Sequence, residues 1–273
     1  MKVDIVQLAG RDADVAYNLQ RAQQHIAACA PGTDIVVFPE THLTGFLDAA
    51  QCAAHAQPLD GPAMRAIAAA ARERDVAVVI GLVERDGERF YNTTALVTPD
   101  GVALSYRKTH LWVAERGAVL PGDRYATVEW RGVRVGLLIC YDIEFPEGAR
   151  ALAELGAQLL LVTNGNMDPY GAVHRTAIMA RAQENQLFAV MANRVGAGPD
   201  GMVFAGGSAA VDPFGRLLFE AGGGECRHAL ELDLSQLAAA RATYDYLADR
   251  RLRAPGQRLE HPDGRRELLI EPR

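Results

Sequence analysis

The chain has almost no lysine. Only Lys2 and Lys108 interrupt an otherwise all-arginine set of 28 basic side chains, so a lysine in the interior departs from the chain's own habit. Clustered basic charge is missing too. Against 34 acidic residues the net charge is −6, and no helix or strand gathers its arginines into the stripe that displaces counterions, which excludes a sequence-independent nucleic-acid binder. The four cysteines, Cys29, Cys52, Cys140 and Cys226, lie far apart with no C-x-x-C and no paired histidine spacing. That argues against a disulfide framework and a structural zinc site, and for reduced thiols in a cytoplasmic protein. No window approaches the roughly 18 uninterrupted apolar residues of a spanning helix, so no membrane role is expected. The first nine residues alternate like a strand instead of forming a charged and then apolar leader, so export is not expected. Internal repeats, low-complexity segments and Pro/Ser-rich linkers are also missing, and one domain over 1–273 is the simplest division. What remains, 49% apolar and 23% charged residues, is the composition of a globular protein whose partner is a small molecule or another copy of itself.

Strands and helices alternate. Residues 3–8 read as a strand, 12–30 place Val15, Leu19, Ala22 and Ile26 at helical spacing, and 34–38 is an apolar run ending in Pro39-Glu40. A helix over 62–74, opened by Asp60-Gly61-Pro62, precedes a strand over 76–83. A hairpin of 89–98 and 102–107 turns at Pro99-Asp100-Gly101. Strands 127–130 and 133–140, helix 147–156, strand 158–163, helix 171–186 and strand 187–193 follow, with short strands near 208–212, 215–220 and 226–232. The segment 250–273, with arginines broken by Pro255 and Pro262, shows neither period and reads as a tail or an arm. Mixed strands separated by helices, with hairpins late in the chain, predict an α/β layered sandwich of two sheets covered by helices.

Three segments end a buried strand in a reactive side chain, at the edge where open α/β sheets hold ligands. They are D-I-V-V-F-P-Glu40, V-A-L-S-Y-R-Lys108 and G-L-L-I-Cys140. Singly, each has a bland reading, as a loop carboxylate, a surface charge and a small core hydrophobe. Together they supply what a thiol nucleophile needs. Cys140 would stand at a strand-to-helix turn, where the partial positive charge of a helix N-terminus is expected to lower its pKa. Glu40 can serve as base, and Lys108, a compact point charge, can approach a developing oxyanion.

The residues around these three resemble the carbon–nitrogen hydrolase, or nitrilase, superfamily. The likeness rests on P-Glu40, on Y-R-Lys108-T-H-L-W-V-A-Glu115, on Pro121-Gly122-Asp123 and on G-L-L-I-Cys140-Y-D-I-E-F-P-Glu147. It continues through the segment from Arg181 by Asn185 to Asn193, and through Phe204-A-G-G-Ser208 followed by Asp212-P-F-Gly215. These patterns stand in the family's order from Met1 to about Arg251. The resemblance implies a four-layer αββα sandwich, no metal or organic cofactor, homodimers or higher homo-oligomers, and a triad of Glu40, Lys108 and Cys140. Glu115 matches the family's second glutamate. The implied chemistry is acyl transfer through a Cys140 thioester, with Glu40 as base and acid, and Lys108 and the Tyr141 N–H holding the oxyanion. Cys140-Tyr141-Asp142 resembles amidases and carbamoyl hydrolases, whereas true nitrilases carry Trp-Glu after the cysteine, so a small primary carboxamide is the expected substrate. Carbamoyl-amino-acid hydrolases usually carry Arg where Ile143-Glu144 stands, which counts against an anionic substrate unless Arg175 or Arg194 binds it. An N-carbamoyl amidohydrolase, then a true nitrilase, are the enzymatic alternatives, and a catalytically silent small-molecule-binding module is the other. The segment 244–251 resembles the family's closing segment, which implies a dimer contact with the Arg-rich tail as an arm beside it.

For the remaining candidates the residues themselves leave two readings open. Glu144 could select a substrate amine, but an ion pair with Arg150 or a helix N-terminal role is the favoured reading. Phe46, Trp112 and Asn166 are candidate pocket residues, with core packing equally open to Phe46 and Trp112. His110 and His174 find no third partner at metal spacing, and His110 reads as a structural residue beside Lys108. Cys29, in an Ala-rich helix, and Cys52, in a loop, read as inert, and Glu184 and Asn185 as serving a helix–strand junction.

Overall fold

In the computed structural model, which describes residues 1–270, strand parity builds two sheets and their helical covers. Chain order first supplies β1 (Lys2–Gln7), β2 (Ile35–Val37), β3 (Ala77–Asp86), β4 (Arg89–Thr98) and β5 (Gly101–Arg107). Next come β6 (Arg124–Trp130), β7 (Val133–Ile139), β8 (Leu159–Asn164) and β9 (Phe188–Asn193). A small pair, β10 (Val195–Ala197) and β11 (Val203–Ala205), precedes β12 (Ala209–Val211), β13 (Leu217–Glu220), β14 (Cys226–Glu231), β15 (Gln257–Glu260) and β16 (Arg266–Leu269). One sheet has the order β14-β1-β2-β3-β4-β5 and the other β13-β12-β9-β8-β7-β6-β16-β15. Parallel pairing joins β1 to β2 to β3 and β7 to β8 to β9, so within each sheet several strands end on the same edge.

The helices are α1 (Val15–Ala27), α2 (Ala49–His55), α3 (Pro62–Arg74), α4 (Pro146–Glu154) and α5 (Gly171–Asn185), with α6 (Ser235–Arg241) and α7 (Tyr246–Asp249) later. On β2, Ile35 and Val37 point into a core shared with Val135 and Leu137 of the other sheet. Val36 between them points the opposite way, into a second core with Ile26 of α1 and Ile67 of α3, as a period of two requires. On the far side, α4 lies so close to β7 that a Cβ on Gly136 would come within 3.1 Å of Leu152. The layers are helix, sheet, sheet and helix, the expected αββα sandwich.

Two expectations need correction. Cys52 sits in α2, not in a loop, and α2 is held by a capping box in which the Asp48 side chain accepts from Gln51 N and Gln51 returns a bond to the Asp48 N–H. A helix of 7 residues is two turns long and shows no legible period. The tail also departs from its reading. β16 pairs with β6, and β15 with β16, so 257–269 extends the chain's own sheet. Four-residue strands alternate too briefly to register as a pattern, and ion pairs of Arg250 and Arg258 with the buried Glu154 of α4 hold them in place. The reading of residues 271–273 as tail lies outside the described residues.

Candidate active site

The three strand ends converge. Glu40 leaves β2 through a turn in which Thr41 adopts φ +46 and its carbonyl accepts from Gly45 N at 2.7 Å. The turn presses against β3, where a Cβ on Gly81 would stand 2.3 Å from Thr41 N, so glycine is a packing requirement there. The Glu40 N–H donates to the Asn164 carbonyl at 3.1 Å, tying this loop of the first sheet to the end of β8 in the second. Lys108 follows β5. Its N–H donates to Asn92 O and its carbonyl accepts from Gly122 N, both at 2.8 Å, and a Cβ on Gly122 would meet Arg107 O at 2.2 Å. The Pro121-Gly122-Asp123 motif therefore holds the backbone that carries the lysine.

Cys140 has φ +44, a left-handed conformation that costs a non-glycine residue about 1–3 kcal/mol and is kept where surrounding structure over-determines it. It forms the corner between β7 and a 3-10 turn, Cys140–Glu144. The first N–H groups of that turn, including that of Tyr141, have no acceptor within it. Because α4 begins only at Pro146, the thiol lies beside a short turn, and the expected acidification is not found. Burial pushes the Cys140 thiol well up and the Glu40 carboxylate adds to the rise, while Lys108 and the Gly165 N–H oppose it only in part.

Lys108 Nζ lies 2.7 Å from Glu40 Oε1 and 2.6 Å from Glu115 Oε2, and Lys108 and Glu40 are each 1% exposed. Burial alone would push this ammonium down, but Glu40, Glu115 and Cys140 outweigh it and hold its pKa above the usual lysine range. Glu115 is pushed up, chiefly by burial and then by Glu40, against the pull of Lys108. Asn92 completes the cluster. Its Nδ2 donates to Glu40 Oε1 at 2.8 Å and to Glu115 Oε1 at 2.6 Å, so one amide bridges two like charges that would otherwise repel. Among the described residues the other Glu40 oxygen, Oε2, is buried without a hydrogen-bond partner. A Cβ on Gly165 would be 2.6 Å from it, so the glycine leaves room beside the carboxylate.

Asp142, fully buried, fixes the corner from behind. It accepts from Tyr106 Oη at 2.9 Å, Thr109 Oγ1 at 3.0 Å and His110 N at 2.9 Å, which ties the loop after Lys108 to the turn after Cys140. The His110 ring stacks on Phe145 at 4.0 Å, a structural role as expected.

Glu40, Lys108, Cys140 and Glu115 open into a cavity of about 710 Å³, and Phe46, Trp112, Tyr141, Glu144 and Asn166 line it. Phe46 stacks on Phe204 with centroids 5.5 Å apart. Asn166 has its amide committed, donating from Nδ2 to Tyr170 O at 3.0 Å. For Glu144 the favoured ion pair is wrong. Its Oε1 lies 3.1 Å from His174 Nε2, whereas Arg150, farther along α4, donates to Glu184 O at the end of α5. Sequence reasoning missed Asn92 and Tyr170, named Arg194 only as a possible carboxylate binder, and gave His174 no place in the pocket. Asn92 left a trace, since its parity on β4 matches that of Leu96, which faces the core between the sheets, and a polar side chain on that face is out of place unless it serves a site. Among the described residues no group of His, Cys, Asp or Glu is arranged to hold a metal ion.

A family model for carbon-nitrogen hydrolase matches residues 2–242. The chain is 68% identical over 270 residues to an (R)-stereoselective amidase of a Pseudomonas species, covering 99% of this chain and 98% of that one. A solved mutant of the amidase from Nesterenkonia sp. AN1, which shows covalent addition of the acetamide moiety of fluoroacetamide at its active-site cysteine, superposes with a TM-score of 0.82 at 31% identity, covering 92% of this chain and 94% of that one. A CN-hydrolase superfamily protein of Xanthomonas campestris superposes with a TM-score of 0.87 at 26% identity, covering 94% and 99%.

Proposed function

The chain belongs to the carbon–nitrogen hydrolase family, and from that membership we propose that it is an amidase, converting a primary carboxamide to a carboxylic acid and ammonia through a thioester on Cys140. The observation that carries the reading is the buried Lys108 ammonium held between Glu40 and Glu115 in the same cavity as Cys140. The resting thiol is protonated, since its pKa is raised, so proton removal accompanies attack. Glu40 takes the proton as sulfur bonds to the amide carbon, and the carbonyl oxygen gains its charge beside Lys108 and the Tyr141 N–H. An ammonium has three N–H donors, and two are taken by Glu40 and Glu115, leaving one for the oxyanion. Glu40 then gives its proton to the departing nitrogen, releasing ammonia, and next deprotonates the water that hydrolyses the thioester and restores the thiol. The test is ammonia release across a panel of aliphatic and cyclic amides, carbamoyl amino acids and nitriles. Amides are expected to react, and turnover confined to nitriles or carbamoyl compounds would overturn the reading.

A carbamoyl amino acid fits less well. Arg194, the guanidinium at the pocket, is tied to Asp12 at 2.6 Å and to Gly10 O at 3.0 Å, and Arg175 pairs with Glu220. Arg194 thus already carries a carboxylate, and Arg175 does not line the cavity. The cavity, at about 710 Å³, is of a size that takes ligands much larger than acetamide. Lined by fixed side chains of L-residues, it presents a chiral surface to an α-carbon. On this ground, and from the likeness to an (R)-stereoselective amidase, the R enantiomer of an α-chiral amide is expected to react at least about tenfold faster, the equivalent of about 1.4 kcal/mol. Chiral chromatography of the residual amide checks this, and equal rates would remove stereoselectivity from the reading.

Asn92 is proposed to position the two glutamates. Asn92→Asp would replace the donor that both glutamates share with a third carboxylate, so kcat is expected to fall by about tenfold or more. A folded Asn92→Asp protein with the kcat of the wild type would refute the role. The homodimer and the cytoplasmic location are also proposals. They are supported by the exposed Tyr244, Tyr246 and Leu252 on the segment from α6 onward and by four unpaired cysteines, which suit a reducing compartment.

A further inference from the structure

The charges lining the cavity are unequal. Five carboxylates, Asp12, Glu40, Asp48, Glu115 and Glu144, face it against two strong bases, Lys108 and Arg194. Four of the five already have work. Glu40 and Glu115 accept from Lys108 and Asn92, Asp12 accepts from Arg194, and Asp48 caps α2. Glu144 differs. One of its oxygens lies 3.1 Å from His174 Nε2, and among the described residues the other has no protein donor. The histidine is itself fixed from behind, with Nδ1 3.0 Å from Asn164 Oδ1, in an otherwise buried position. An oriented carboxylate with an open oxygen therefore faces a cavity whose two strong bases, Lys108 and Arg194, are already paired with other carboxylates.

Its distance from the nucleophile defines what it could bind. Glu144 ends the 3-10 turn that Cys140 begins, and at about 2 Å of rise per residue the two backbones are roughly 8 Å apart. Trp112, Tyr141 and Tyr170 line the same cavity, with Trp112 edge-on to Tyr141 at 5.2 Å and to Tyr170 at 5.8 Å. Such rings accept a hydrocarbon linker and favour a cation over an anion.

Resting on the amidase reading, we infer that Glu144 is a specificity residue that binds an ammonium group on the acyl side of the substrate, so that the preferred substrates are primary carboxamides whose acyl part carries an amine, such as amino-acid amides. The carboxylate supplies the charge, His174 fixes its direction, and the aromatic residues enclose the linker. The substrate thereby brings a cation to the open oxygen.

The experiment compares three amide series with one to four methylenes, ending in ammonium, methyl or carboxylate, measured as kcat/KM at neutral pH with wild type, Glu144→Gln and Glu144→Lys. In the wild type at least one ammonium amide should exceed its methyl-ended match by about tenfold or more, mainly through KM, the scale of one partly buried charge contact. Glu144→Gln should bring that ratio near one, and Glu144→Lys should turn the preference toward the carboxylate series, a gain that a misfolded variant could not produce. Equal or better turnover of methyl-ended amides by the wild type, or a preference unchanged in both variants, would overturn the inference and leave the amidase reading intact. Turnover of none of the three series by the wild type would overturn the amidase reading and this inference with it.

Discussion

Replacing Cys140 by alanine is expected to reduce amide hydrolysis to background, a loss of at least about a thousandfold in kcat, with little change in stability. The size follows from the proposed chemistry. Without sulfur there is no covalent intermediate, and the residual rate is what Lys108 and the pocket achieve with water as the nucleophile. The small cost in stability follows from the packing. The side chain is 9% exposed, and removing its single sulfur forfeits about 1 kcal/mol of burial, which lowers the melting temperature of a chain of this length by roughly 2–4 °C. The left-handed backbone at this corner is as strained for alanine as for cysteine, so that term cancels. Mass spectrometry supplies the positive counterpart, since a slow substrate should leave an acyl adduct on Cys140 in the wild type and none in the variant. A Cys140→Ala protein that folds and retains turnover would remove the thioester from the mechanism.

The triad was legible because each member follows a strand: β2 and β7 are apolar and pair in parallel with β3 and β8, and β5, a half-exposed edge strand, runs the same way as β3 through two antiparallel pairings. The chemistry of the thiol was less legible. A motif shows that a turn follows Cys140 but not how deeply the sulfur is buried or that Glu40 stands against it, and those two facts push its pKa up. Asn92 was hidden by its neighbours Thr93 and Thr94, since a polar run in a hairpin strand masks the single side chain that matters. The partner of Glu144 was out of reach for a different reason. Arg150 lies six positions away along the chain, while His174 is 30 positions away and arrives only through the packing of α5 on the 3-10 turn. Residues 257–269 were misread because their pairing partner, β6, lies more than a hundred residues earlier. Local pattern exposes the strand ends, and long-range packing decides what surrounds them.

Lys108→Arg keeps the charge and follows the chain's own preference for arginine, yet it is expected to lower kcat by about 10²–10³, the cost of losing one oxyanion donor. The reason lies in geometry. Lys108 Nζ touches both carboxylates at 2.7 and 2.6 Å and is buried at 1% exposure, so a compact ammonium fills the space between them and directs its third N–H outward. Guanidinium is planar, larger, and built to bind a carboxylate with two parallel N–H groups. Engaged with Glu40 in that way, it would occupy Oε2, the oxygen without a partner among the described residues and needed as the base. Overpacking adds about 1–3 kcal/mol of destabilisation, whereas Lys108→Ala would leave two buried carboxylates without their cation, at about 3–5 kcal/mol. The arginine variant should therefore melt above the alanine variant while both remain nearly inactive. Thermal denaturation and steady-state kinetics on the two proteins separate the roles, since charge balance alone predicts that arginine restores activity along with stability. If Lys108→Arg retained kcat within about threefold of wild type, the loss would fall far short of one oxyanion donor, and Lys108 would be a structural counter-ion instead of the oxyanion partner.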